Sequence, residues 1–287
     1  MVKRVITGAV FTVVLLLGIA LQGWVLRGLL LFAMLVSLSE MYRAFRRTGA
    51  DPVRWAGYLY CVLAVLAQSL YSDLDHPMFG EISPPMLALT LSLLIAMTVI
   101  VARGKVAFVS MVTTVFPMFY PGLFFSLMIT LQDLSTRFAS TVALLLAFFI
   151  ASVNDVFALL VGVRFGRHKL SPEISPKKSV EGSIGGLVAS VLFAVLVPVL
   201  ANWAASVWPE INPTGVVLPP LWAFALLGLI AGALSQVGDL VASLVKRHCG
   251  IKDFGTIFPG HGGMMDRMDG ILFCGVACYL FFRLAGL

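Results

Sequence analysis

Long apolar runs separated by short polar stretches dominate the chain. Windows long enough to cross a membrane as helices fall near 5–22, 24–42, 54–71, 84–102, 108–131, 139–162, 184–202, 220–242 and 270–286. They predict an all-α, polytopic integral membrane protein with about nine transmembrane helices. Only "QGW" parts the first two windows, so fusing them into one bent hairpin would give eight. Pro117 and Pro121 fall inside the fifth window and predict a kink or break there. No soluble domain, clean repeat or low-complexity tract is visible. The chain divides into five weakly informative spans, 1–138, and a more polar-marked region, 139–287, with long loops at 163–183 and 243–269.

Charge orients these spans. With the N-terminus in the cytoplasm, segments 1–4, 43–54, 103–107, 163–183 and 243–269 face inward. Of the 20 Lys and Arg residues, all but Arg27, Arg137 and Arg283 lie in them. The opposite-side loop "SDLDHPMFGEIS" carries only acids and a histidine. This is the positive-inside pattern. The net charge of +6 therefore reads as membrane orientation and not as a nucleic-acid footprint. Lys3 and Arg4 before an apolar run resemble a signal peptide, but no small-residue cleavage site follows, so the run reads as a retained first span.

Composition agrees: 60% of the 287 residues are hydrophobic and 12% charged, against about 25% charged in soluble domains. Cys61, Cys249, Cys274 and Cys278 imply no disulfide framework and read as packed thiols.

Against this background two polar constellations stand out. In "ALSQVGDLVASLVKR" Ser235, Asp239, Ser243 and Lys246 fall on one helical face, bordered by Gln236. A carboxylate two turns inside a span costs roughly 2.5–3.5 kcal/mol on insertion scales. It faces a cavity, a substrate or a structural partner such as Lys246. Next comes "KDFGTIFPGHGGMMDRMD", residues 252–269. Asp266 and Asp269 are three apart before the last span and would share a side of a helix, with Arg267 pointing elsewhere. With Asp239 they offer three hard oxygen ligands, which suit Mg²⁺. Gly260, Gly262 and Gly263 around His261 let backbone approach a ligand and leave N–H groups for phosphate oxygens. Lys246, Arg247, Lys252 and Arg267 add positive charge. Separately, a glycine-flanked histidine, a basic membrane-facing loop or two helix-start aspartates would be ordinary structure. Together, in one short loop, they fit a Mg²⁺–triphosphate site.

The stretch Ser243–Asp269 closely resembles the signature of phosphatidate cytidylyltransferases: S-x-x-K-R, four residues, K-D, a spacer, P-G-H-G-G, two residues, D-R-x-D. Every fixed position is present, and the preceding "QVGDL" also matches. The second constellation, "SVNDVFALLVGVRFGRHKLSPEISPKKSVEGSIGG", resembles the same family. Ala151, Asp155, Ala158, Gly162 and Gly166 form a small-residue stripe that permits close helix packing. Asn154 and Asp155 within the apolar run read as substrate-facing or as partners of a cation. Lys177, Lys178 and Ser179 in the following loop are available to phosphate. Leu159, Ser179 and Val180 depart from the family's usual Tyr, Thr and Trp. Ser179 keeps a hydroxyl, whereas the other two lose aromatic surface, which bears on lipid selectivity.

The resemblance, which covers about 150–287, implies that CTP and phosphatidate give CDP-diacylglycerol and pyrophosphate. On the reading of these residues Asp239, Asp266 and Asp269 would hold Mg²⁺, directly or through water, and the resemblance implies a second cation nearby. Lys246, Arg247, Lys252 and Arg267 would bind the triphosphate and lipid phosphate. Asp253 would orient Lys252, a ribose or a metal-bound water, and His261 would hydrogen-bond a phosphate oxygen. Lys178 and Ser179 would close the site. The expected setting is a bacterial inner membrane with the site at the cytoplasmic face, and a homodimer is a compatible assembly. Three alternatives stay open: a CTP-dependent polyprenol-type lipid kinase, a cation transporter using Asp155 and Asp239, and a binding protein with no catalytic activity.

Overall fold

A computed structural model describes residues 2–73, 83–104, 108–258, 260 and 262–287. The acidic loop read as facing away from the cytoplasm lies almost wholly outside them, as does His261. The helices are α1 (Val2–Leu21), α2 (Gly23–Arg46), α3 (Arg54–Asp73), α4 (Pro84–Ala102), α5 (Phe108–Pro117), α6 (Phe124–Thr130), α7 (Arg137–Phe165), α8 (Val180–Val207), α9 (Leu221–His248) and α10 (Met265–Leu284). Among the described residues, six stretches are long and apolar enough to cross a membrane: Gly23–Arg46, Pro84–Ala102, Phe108–Asp133, Arg137–Phe165, Val180–Val207 and Leu221–His248. This is a polytopic membrane protein. The three other windows also hold helices. They fall short because the described apolar part of α1 is only Gly8–Leu21, α3 carries Gln68 and Ser69, and α10 starts with Asp266, Arg267 and Asp269. One departure from an all-helical chain is a hairpin of β1 (Lys169–Ser171) and β2 (Ser175–Ser179), paired antiparallel with Lys169 opposite Ser179.

The chain forms two compact units. The first comprises residues 1–130 and 246–267, the second residues 131–245 and 268–287.

In the first unit α2 buries Leu26, Leu30, Met34, Leu38, Met41, Tyr42 and Phe45, a stripe at helical spacing. The Tyr42 hydroxyl donates to the Thr114 carbonyl at 3.0 Å. Tyr42 fills the space that any side chain at Gly57 of α3 would need. The fifth window is broken where the prolines predicted. A π turn, Met118–Leu123, separates α5 from α6, and Tyr120 leaves helical geometry at φ −125°, ψ 107°. Proline removes a helical N–H and clashes with the preceding turn. Tyr60 and Ser126 share a buried hydroxyl bond of 2.9 Å beside this break.

In the second unit Thr136 caps α7 by accepting the Ala139 N–H. The small-residue stripe works as expected for close packing. A Cβ on Gly182 of α8 would sit 2.5 Å from the Ala158 carbonyl, and one on Gly186 would sit 2.8 Å from the Asn154 carbonyl. Gly228 and Gly232 of α9 pack equally tightly on Ser190. Small residues substitute backbone contact for the hydrophobic drive that lipid cannot supply.

Candidate active site

The first unit holds the end of α9 and the loop running to α10. Lys246, in the last turn of α9, donates to Asp266 Oδ1 at 2.8 Å. The pair is largely buried, with side-chain exposures of 12% and 4%. Its ammonium also lies 5.5 Å from the Phe254 ring centre, a cation–π distance. Asp266 Oδ2 accepts the backbone N–H groups of Phe254 at 2.8 Å and Gly263 at 2.9 Å. One carboxylate thus binds a cation and ties the two ends of the loop together. The loop closes on itself where Phe258 N–H reaches the Gly262 carbonyl at 3.0 Å. Gly262 has φ +86°, and a Cβ there would come within 2.8 Å of Asp266 Oδ2. Both its backbone angle and its neighbour therefore call for glycine.

The remaining predicted residues of this stretch divide by exposure. Arg247, Lys252, Asp253, Gly260 and Arg267 are exposed, and Gly263 is buried. Buried Cys249 has its thiol pushed up by desolvation, partly opposed by Arg47.

Sequence reasoning overlooked Glu40. It lies on α2, is only 1% exposed, and accepts the N–H groups of Met264 at 3.1 Å and Met265 at 2.9 Å. The one signal available was an acid inside an apolar window, the same signal that singled out Asp239.

The second unit holds another cation–carboxylate pair. Lys178, at the end of β2, pairs with Asp239 of α9, and each side chain is about a quarter exposed (26% and 28%). Ser179, expected to meet phosphate, is the N-cap of α8 and accepts the Gly182 N–H at 3.2 Å. Glu181 gathers the Arg167 and His168 N–H groups and His168 Nδ1, which fastens the hairpin to the start of α8. Lys177 is exposed on β2, and Asp155 is exposed on α7.

Asn154 has no exposed surface. Its Nδ2 donates to Ser190 Oγ at 2.9 Å and to the Gly232 carbonyl at 3.1 Å. Its Oδ1 accepts from Gln236 Nε2 at 3.1 Å, and Gln236 also bonds Ser183. The amide is fully used in joining α7, α8 and α9. Ser243 is buried on α9, and Asp269 is buried on α10, where Oδ1 accepts the Gly270 N–H at 2.8 Å.

Among the described residues no three His, Cys, Asp or Glu side chains cluster as a ready metal cage. The donor chemistry still fits Mg²⁺ in a limited way. A carboxylate offers about four acceptor directions, and among the described residues Asp266 uses three. One monodentate contact remains, which suits an ion that keeps most of its waters and takes one or two carboxylates. Chelation by both Asp266 oxygens does not fit. The ammonium groups resting on Asp266 and Asp239 show that each carboxylate accepts a cation.

Residues 2–285 match the Cytidylyltransferase family. A phosphatidate cytidylyltransferase of Mycobacterium bovis is 43% identical over 127 residues, 44% of this chain and 37% of that protein. The chloroplastic phosphatidate cytidylyltransferase 5 of Arabidopsis thaliana is 30% identical over 299 residues, 94% of this chain and 69% of that protein. A phosphatidate cytidylyltransferase of Brucella abortus is 46% identical over 66 residues, 23% of this chain and 24% of that protein. The matched stretch thus spans only about a third of the mycobacterial relative's length. With the family match running nearly end to end, the chain belongs to the cytidylyltransferase family.

Proposed function

We propose that this protein transfers the cytidylyl group of CTP to phosphatidate in the bilayer, giving CDP-diacylglycerol and pyrophosphate. The observation that carries this reading is the buried Lys246–Asp266 pair, bonded to the backbone of a glycine-rich loop at the end of an apolar helix. A membrane-face site with fixed cations is what two anionic reactants need, one lipid and one water-soluble.

A phosphate oxygen of phosphatidate attacks the α-phosphorus of CTP. The bond from that phosphorus to the oxygen bridging it to the β-phosphate breaks, and pyrophosphate leaves. The lipid brings its own nucleophile, so the protein positions and neutralises charge. Lys246 is held in place by Asp266 and presents a fixed ammonium. Arg247, Lys252 and Arg267, exposed in the same unit, bind phosphates, and Asp253 orients Lys252. His261 is assigned a phosphate hydrogen bond. In the second unit Lys178 serves the same purpose from β2. Asp266 in the first unit, and Asp239 and Asp269 in the second, would hold Mg²⁺ ions. When bound, these supply further charge neutralisation at the phosphates. The N-terminus and the loops 163–183 and 243–269 lie on the cytoplasmic side of a bacterial inner membrane, and the acyl chains remain in the bilayer.

The test is pyrophosphate release by purified protein in mixed micelles. Release that requires CTP, phosphatidate and Mg²⁺ together supports the proposal. Release that ignores phosphatidate, or CDP formed in its place, refutes it.

A further inference from the structure

We infer that Glu40 is a positioning residue for the loop that carries the Lys246–Asp266 pair. The inference rests on the reading of that loop as the reactive one. Glu40 sits on α2 in an apolar span, yet its carboxylate is buried and directed at the loop. Oε1 accepts from Met264 N–H and Oε2 from Met265 N–H. With Gly263 N–H given to Asp266, three consecutive N–H groups at the start of α10 are taken by two carboxylates. Helix-start N–H groups lack partners within the helix and carry partial positive charge, so carboxylates are favoured there.

The loop is shaped around Glu40. A Cβ on Gly263 would come within 2.6 Å of the Glu40 carboxylate, and one on Gly255 would collide with Oε1. Gly255 follows Phe254, and Gly263 follows the turn at Gly262. The same two loop ends that Asp266 ties by hydrogen bonds are therefore those that Glu40 fits by shape. Arg43, one turn along α2, gives its Nε to the Ser39 carbonyl at 3.3 Å, and among the described residues Glu40 accepts its hydrogen bonds from backbone N–H groups. A buried carboxylate is costly unless its hydrogen bonds are made. A Ser or Asp next to α10 could cap it locally. A carboxylate 224 residues away in sequence does more: it fixes where α10 begins relative to α2, and so where Asp266 meets Lys246.

The test compares wild type with Glu40→Gln and Gly255→Ala in detergent. Each is followed by thermal melting, amide hydrogen exchange and steady-state kinetics. Gln offers one acceptor and turns an N–H donor toward the second backbone N–H. Ala at 255 pushes on the carboxylate from the loop side. The expected result is faster exchange at Phe254 and Gly263–Met265 alone. It should come with kcat down about 10- to 100-fold, as loss of a charged hydrogen bond implies, and KM for CTP within about twofold. Glu40→Asp, which keeps the charge, should recover part of kcat. Wild-type exchange and kcat in both variants would overturn the inference. So would exchange that rises throughout the first unit with an equal loss of melting temperature, because Glu40 would then be a general structural residue. If wild type itself transfers no cytidylyl group, the functional reading fails, while local exchange still decides whether Glu40 seats the loop.

Discussion

Replacing Asp266 by Asn tests the central pair most sharply. The amide can still offer its oxygen to Phe254 and Gly263 N–H, but its NH₂ then faces the Lys246 ammonium. Breaking a buried ion pair on one side costs about 3–5 kcal/mol. The lower end applies here, because Lys246 keeps 12% side-chain exposure and can swing toward water. A loss of about 3 kcal/mol in stability is expected. The same lost restraint, felt in the transition state, corresponds to a rate on the order of 10²-fold lower. The double variant Lys246→Met/Asp266→Asn separates the two effects. Removing the stranded ammonium should return about 1–2 kcal/mol of stability, as for partners coupled in one pair, without returning activity. The assay is thermal melting beside transfer of label from α-³²P-CTP to lipid. Turnover of Asp266→Asn within threefold of wild type would refute the reasoning. So would recovery of both stability and activity in the double variant.

Other expectations follow from the second unit and from the thiols. Gly186→Val should destabilise the protein by about 1–3 kcal/mol through overpacking, because Asn154 fills the space where a Cβ would go; an unchanged melting temperature would contradict the packing. Lys178→Met should cost less than about 1 kcal/mol in stability, because its pair with Asp239 is partly exposed. It should lower turnover at limiting CTP, and unaltered kcat/KM would contradict a phosphate-binding role for Lys178. All four cysteines are buried, so a membrane-permeant maleimide should label them only after denaturation. Rapid native labelling of Cys249, whose thiol burial pushes up, would show that the loop opens. Chelation of divalent ions should abolish transfer and Mg²⁺ should restore it; full activity after chelation would remove the metal from the account.

Much of this was legible in the residues. Hydropathy located every helix window, and the prolines at 117 and 121 located the break, because both signals are local. The small stripe on α7 announced a close helix contact, and Gly182 and Gly186 supply its other side. The partners of polar groups were not legible. Asn154 looks the same in sequence whether it meets a substrate or another helix, and only tertiary structure shows its amide spent on Ser190, Gly232 and Gln236. Gly263 N–H reads as free for phosphate until Asp266 is seen to accept it. The hairpin at 169–179 is hidden by Pro172 and Pro176, which weaken any strand signal. Glu40 escaped notice because its partners lie 224 and 225 residues away, and next to Arg43 it resembles an ordinary helix-end charge.

The most direct single measurement places the label. Purified protein in phosphatidate-containing liposomes would be given CTP labelled at the α-phosphate in one reaction and at the γ-phosphate in another. Cytidylyl transfer predicts label in the lipid from the α position only, with γ label leaving as pyrophosphate. Lipid labelled from the γ position would make the protein a kinase, and no labelled lipid from either, with the protein folded, would contradict the proposed chemistry altogether.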